Sequence, residues 1–92
     1  MIFYAEVECI LYEGHSLKQK RSIIKRLKAR ICKDFNVSMA ELDYHDLWQR
    51  MKFGIVTISN EQVHAEQVIQ EVLKVIDTYS ELERTLTHVE RL

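Results

Sequence analysis

The chain has 92 residues, 47% of them apolar and 29% charged, with a net charge of −1. Those shares describe one globular domain spanning residues 1–92; they exclude a disordered chain, and no apolar run approaches the roughly 20 residues of a membrane span. The near-neutral total conceals a division, because Lys18, Lys20, Arg21, Lys25, Arg26, Lys28, Arg30 and Lys33 fall between Leu17 and Lys33 with no acid among them, while all the acids lie elsewhere.

Ile2 to Tyr12 alternates as a strand does, with Phe3, Ala5, Val7, Cys9 and Leu11 on one side and Tyr4, Glu6, Glu8, Ile10 and Tyr12 on the other. An alternating, acid-bearing start lacks the basic end and continuous apolar block of a signal peptide, so a cytoplasmic protein is expected. Gly14 and His15 break the run, and Ser16 with Gln19 three residues later forms a capping box. Leu17, Ile24, Leu27, Ile31 and Phe35 then recur at helical spacing, and Asn36 suits a left-handed stop. Val37 to Asp43 and Met51 to Ser59 read as strands, joined by YHDLWQRM. Ser59 or Asn60 caps a second helix whose apolar face is Ala65, Val68, Ile69, Val72, Leu73, Val75, Ile76 and Tyr79. Leu82 to Leu92 returns to strand periodicity.

The order βαββαβ, with one apolar stripe per helix, predicts an α+β ferredoxin-like sandwich: a four-stranded antiparallel sheet with two helices on one face. The other face is left open, and the pattern assigns it Glu6, Glu8, Glu41 and Asp43 together with Tyr4, Ile10 and Tyr12. Such a mixed face suits either solvent or a second copy of the chain. Cys9 and Cys32 lie in different elements without CxxC or zinc spacing and read as reduced, partly buried thiols.

The first helix is the strongest functional signal. Lys18, Arg21, Lys25 and Lys28 form an outward strip, and Lys20 falls close to the apolar edge. Lys18, Lys20 and Arg21 crowd the positive end of the helix dipole, at a cost of roughly 0.3–1 kcal/mol each when exposed. An anion at that surface, or a phosphate held by the N–H groups after Gly14-His15-Ser16, offsets the cost. The competing reading is a solvated face, or one paired with Glu66, Glu71 and Asp77 of the second helix or with a partner subunit. If Lys18, Lys20, Arg21, Lys25 and Lys28 all meet phosphates, binding weakens with salt at a log–log slope of about −3.5 on a single strand.

Trp48 and Arg50 stand in the connecting segment, where they fit the edge of the core, a subunit interface or a base-stacking contact. Asp43, His45 and Asp46 offer only a weak metal or acid–base pattern, since neighbouring strand residues point to opposite faces. No HxH or HxxxH pair, nucleophile elbow or phosphate-binding glycine loop is present, and YEGHSLKQKR departs from the glycine-rich, arginine-bearing turn of acylphosphatases. No catalytic residues, metal site or cofactor are therefore expected.

Ser16-Leu17-Lys18-Gln19-Lys20-Arg21, Phe35-Asn36-Val37-Ser38-Met39-Ala40-Glu41 and Asp46-Leu47-Trp48-Gln49-Arg50, in this order, resemble the YlxP-like family of small bacterial proteins, a domain of unknown function. The resemblance spans essentially the whole chain and implies a ferredoxin-like fold. Family members often carry a histidine directly after the aspartate matching Asp43, where this chain has Tyr44 and then His45. The resemblance also implies genes beside those for translation initiation and ribosome maturation, and hence an RNA or ribosome partner; it brings no catalytic residues. Three functional readings follow. One is an RNA-binding or ribosome-associated accessory protein using Lys18, Lys20, Arg21, Lys25 and Lys28, with Trp48 and Arg50 as a stacking or positioning pair. The others are a homodimeric protein–protein module and a binder of phosphorylated ligands.

Overall fold

The computed structural model describes residues 1–12 and 16–92. Its elements are β1 (Ile2–Leu11), α1 (Leu17–Asp34), β2 (Val37–Asp43), β3 (Arg50–Ile58), α2 (Gln62–Asp77) and β4 (Leu82–Arg91). The four strands form one antiparallel sheet in the order β2-β3-β1-β4, with both helices on one face. The expected ferredoxin-like sandwich is the fold.

Period-two alternation places Phe3, Ala5, Val7, Cys9 and Leu11 of β1 under the helices, beside Met51, Phe53 and Ile55 of β3. Helical spacing brings Ile23, Leu27 and Ile31 down from α1 and Ala65, Ile69, Val72, Leu73 and Ile76 from α2. Complete burial of Leu27 and Ile31 stabilises the fold by about 1.5–3 kcal/mol each.

Several local expectations are corrected. The buried face of α1 is centred on Ile23, Leu27 and Ile31 and includes Lys20, whereas Leu17, Ile24 and Phe35 are only half-buried. The helix ends at Phe35, whose backbone is extended and whose N–H bonds the Ile31 carbonyl at 2.9 Å, so no left-handed Asn36 is needed. The cap of α2 is Glu61, not Ser59 or Asn60; the Ser59 hydroxyl accepts the Glu61 N–H at 3.1 Å and makes a turn that delays the helix. Glu41 does not belong to the open face. It pairs in register with the buried Phe53, and an irregularity between Glu41 and Asp43 returns Asp43 to the side of Lys52. Cys9 is buried as expected, but Cys32 is exposed.

Candidate functional site

The exposed surface of α1 carries the clearest candidate site. Lys18, Arg21, Lys25 and Lys28 follow one another at spacings of three, four and three residues, which sets them in a row about 15 Å long on one side of the helix. All four are exposed, and none forms an ion pair with a described residue. Ser16 caps the helix by accepting the Gln19 N–H at 3.2 Å, and the first turn contains no acid. The positive end of the helix dipole and the start of the row therefore coincide. The rest of the phosphate cradle expected around Gly14 and His15 lies outside the described residues.

The placement of the other bases explains why this row stays unneutralised. Arg26 reaches Glu81 at 3.6 Å, and the Arg30 guanidinium lies 5.8 Å from the centre of the Tyr79 ring. Both point towards the α2 side of the molecule. At 100° per residue, Arg21, Lys25 and Lys28 turn to the opposite flank. Two acids of α2 are meanwhile used locally, Glu71 meeting Lys74 at 3.3 Å and Asp77 holding Arg84 with two bonds of 2.9 and 3.0 Å, and Glu66 forms no ion pair with a described residue. That fork raises the Arg84 pKa, chiefly through the hydrogen bonds that Arg84 donates to Asp77. Glu71 and Asp77 do not cover α1.

Lys20 does not belong to the row, contrary to the sequence expectation. Its side chain is 1% exposed, and its ammonium donates to the Tyr44 carbonyl at 2.6 Å and lies 3.1 Å from Glu41 Oε2. A buried cation with both partners in place cannot also meet a phosphate without breaking that arrangement. Its role is instead to join α1 to the segment between β2 and β3. Tyr44, the one described non-glycine residue with positive φ (64°), also receives the Leu47 N–H on the same carbonyl at 3.0 Å. Asp43 Oδ1 accepts the Tyr44 N–H at 2.7 Å, and His45 Nε2 stands 3.9 Å from Glu41 Oε1. Asp43 and His45 thus turn to different partners, and no group of three or more potential metal ligands occurs among the described residues.

Arg50 is also not beside the basic row. It pairs in register with Ile10 on the open sheet face, donates to Glu8 Oε1 and Tyr44 Oη at 3.1 Å each, and lies 4.1 Å from the centre of the Tyr44 ring. Tyr44 therefore ties the two sides together, its carbonyl held from the helix side and its ring from the open side. Trp48 lies in the same connection and is 36% exposed. The Lys20–Glu41 pair was missed in the sequence; the only signal was the position of Lys20 at the apolar edge of the helical wheel.

No helix among the described residues is long and apolar enough to cross a membrane. Comparison with known proteins places the chain further. A family described as a protein of unknown function, DUF503, matches residues 2–89. The uncharacterized protein YlxP of Bacillus subtilis strain 168 is 48% identical over 90 residues, covering 98% of both chains. Among solved structures, protein YJCS superposes with a TM-score of 0.66 at 10% identity, over 100% of this chain and 99% of that one. SnoaB, a cofactor-independent oxygenase from Streptomyces nogalater, superposes at 0.60 with 12% identity, over 98% and 92% of the two chains. At those identities the two structures share the fold alone. The near-complete match to the family model and to YlxP shows that the chain belongs to the DUF503 family of bacterial proteins of unknown function.

Proposed function

We propose that this protein is a cytoplasmic, non-catalytic RNA-binding accessory factor that holds RNA by its backbone through α1. Lys18, Arg21, Lys25 and Lys28 make the contacts. The observation that carries this reading is their exposure in one row, with none of the four ion-paired to a described residue. A row of bases at the positive end of a helix destabilises the free protein and gains from a polyanion. The gene neighbourhood implied by the family resemblance favours RNA, and ribosomal RNA in particular, among polyanions.

The contact is to phosphates rather than bases. Tyr44 is stacked under Arg50 and Tyr79 lies under Arg30, so neither ring is presented by the row. RNA recognised in this way is selected by charge and backbone shape more than by sequence. The test is binding of fluorescent ribosomal RNA fragments to the wild-type protein and to Lys25→Glu/Lys28→Glu. Binding lost in the double variant, with the fold intact by circular dichroism, supports the reading. Equal binding by both proteins, or none by the wild type near physiological salt, overturns it.

A further inference from the structure

The sheet ends in two edges, β2 and β4, and they differ in how far they are protected. At β2 the register breaks between Glu41 and Asp43, and Glu41 turns a carboxylate to the helix side, where it meets Lys20. α1 packs on β2, whereas α2 packs on β1, β3 and β4, so the α1 flank that carries the basic row overhangs the β2 edge. Irregular pairing, an inward charge and a row of like charges overhead all oppose strand addition there.

The β4 edge is regular where β2 is not. Its register against β1 is unbroken from Leu86 to Arg91, and the chain has no proline to interrupt it. The Leu92 N–H donates to the Ile2 carbonyl at 2.9 Å. In an antiparallel ladder Glu90, His88 and Leu86 then also bond β1, while Thr87, Val89 and Arg91 turn their N–H and C=O groups outwards. Thr87 and Arg91 lie on the helix side of the strand and are nonetheless exposed, so α2 does not overhang this edge. Val89 is half-buried, and Leu86 and Leu92 are each 63% exposed. A regular open edge of this kind is a template for another strand.

We propose that β4 pairs antiparallel with β4 of a second copy of this chain, with Val89 on the two-fold axis, to make one continuous sheet across the two copies. The edge is complementary to itself in that register. Val89 meets Val89, Thr87 meets Arg91, His88 meets Glu90 and Leu86 meets Leu92, so the two most exposed leucines of the strand cover each other and no like charges stand opposite. Thr87, Val89 and Arg91, whose backbone groups point outwards, fall opposite one another and form about six backbone hydrogen bonds. Other centres fail. Leu86, His88 and Glu90 already spend their backbone groups on β1, a centre at Thr87 draws the irregularity opposite Glu8 and Cys9 into the pairing, and a centre at Arg91 sets two guanidinium groups together. Joining at β4 also leaves the two basic α1 rows at opposite ends of the joined sheet, whereas joining at β2 brings them side by side.

The test is sedimentation across a wide range of protein concentration, without RNA, so that its result is independent of the RNA-binding reading. The wild type is expected to dimerise. Thr87→Pro removes an outward N–H that β1 does not use, and is expected to weaken self-association by roughly tenfold or more without altering the circular dichroism spectrum. His88→Glu sets carboxylates opposite each other on both sides of the axis and is expected to weaken it by a similar factor. Adding Glu90→Lys to His88→Glu reverses the sign of each pair and is expected to restore the dimer. A monomeric wild type overturns the proposal, as does a His88→Glu variant that dimerises as tightly as wild type. A His88→Glu/Glu90→Lys variant that stays monomeric overturns the pairing centred on Val89.

Discussion

Lys20 departs from the chemistry of the basic row around it. It lies one turn into α1, faces inwards, and spends its charge on Glu41 and the Tyr44 carbonyl. Removing one partner of a buried ion pair leaves the other uncompensated, so Lys20→Ala is expected to cost about 3 kcal/mol in denaturant unfolding. Lys20→Met combined with Glu41→Gln is expected to cost less, since the stranded charge is gone. An unchanged midpoint for Lys20→Ala contradicts the assignment. The sequence leaves this pair unread because helical periodicity marks Lys20 as marginal, while Glu41 alternates in step with Val37 and Met39 but, as a carboxylate, reads as an open-face residue; its pairing with the buried Phe53 sets it inwards. The cysteines give a second prediction at this scale. Burial pushes the Cys9 thiol up to about 12, with nearby Asp77 raising it further and Arg84 opposing. A raised thiol pKa keeps more protons on the native than on the unfolded chain above the ordinary value near 9. Cys9 therefore withdraws stability as pH rises from there, and Cys9→Ala is expected to flatten that decline. Under native conditions an alkylating reagent near neutral pH is expected to modify the exposed Cys32 and to spare Cys9, which mass spectrometry of the labelled peptides reads directly. Rapid labelling of both rules that out.

Among the elements, α1 is built against its own stability. Its first turn has no acid, and Lys18 and Arg21 stand where the dipole favours negative charge. Lys18→Glu is expected to raise stability by about 0.5–1.5 kcal/mol, removing an unfavourable charge and adding a favourable one, and to weaken RNA binding. A thermal melt and a binding titration on the same variant separate the two effects; a loss of stability contradicts the charge argument. This element was legible from sequence in its cap, its length and its outward row, since those depend on local spacing. The cap of α2 was less so, because Ser59, Asn60 and Glu61 stand together and the choice rests on a turn closed by the Ser59 hydroxyl. The strands were legible to within a residue or two. The irregularities beside Glu41 and Glu8 were not, because they arise from pairing between strands distant in sequence.

At the scale of the whole molecule, charge is sorted by surface. The α1 flank away from α2 is cationic and unneutralised; the sheet face mixes apolar residues with more carboxylates than bases; and the connection holding Tyr44 and Trp48 lies between them, held by Lys20 on one side and Arg50 on the other. The grouping of Arg50 with the helix fails for this reason, since strand alternation sends its side chain through to the opposite face. With Lys20 withdrawn from the row, four bases remain to meet phosphates. The most direct test is the salt dependence of binding to a single-stranded ribosomal RNA fragment. The account predicts a log–log slope of about −2.8, falling by roughly half in Lys25→Glu/Lys28→Glu where residual binding is measurable. A wild-type slope near zero, or one the double variant leaves unchanged, would show that α1 does not carry the contact.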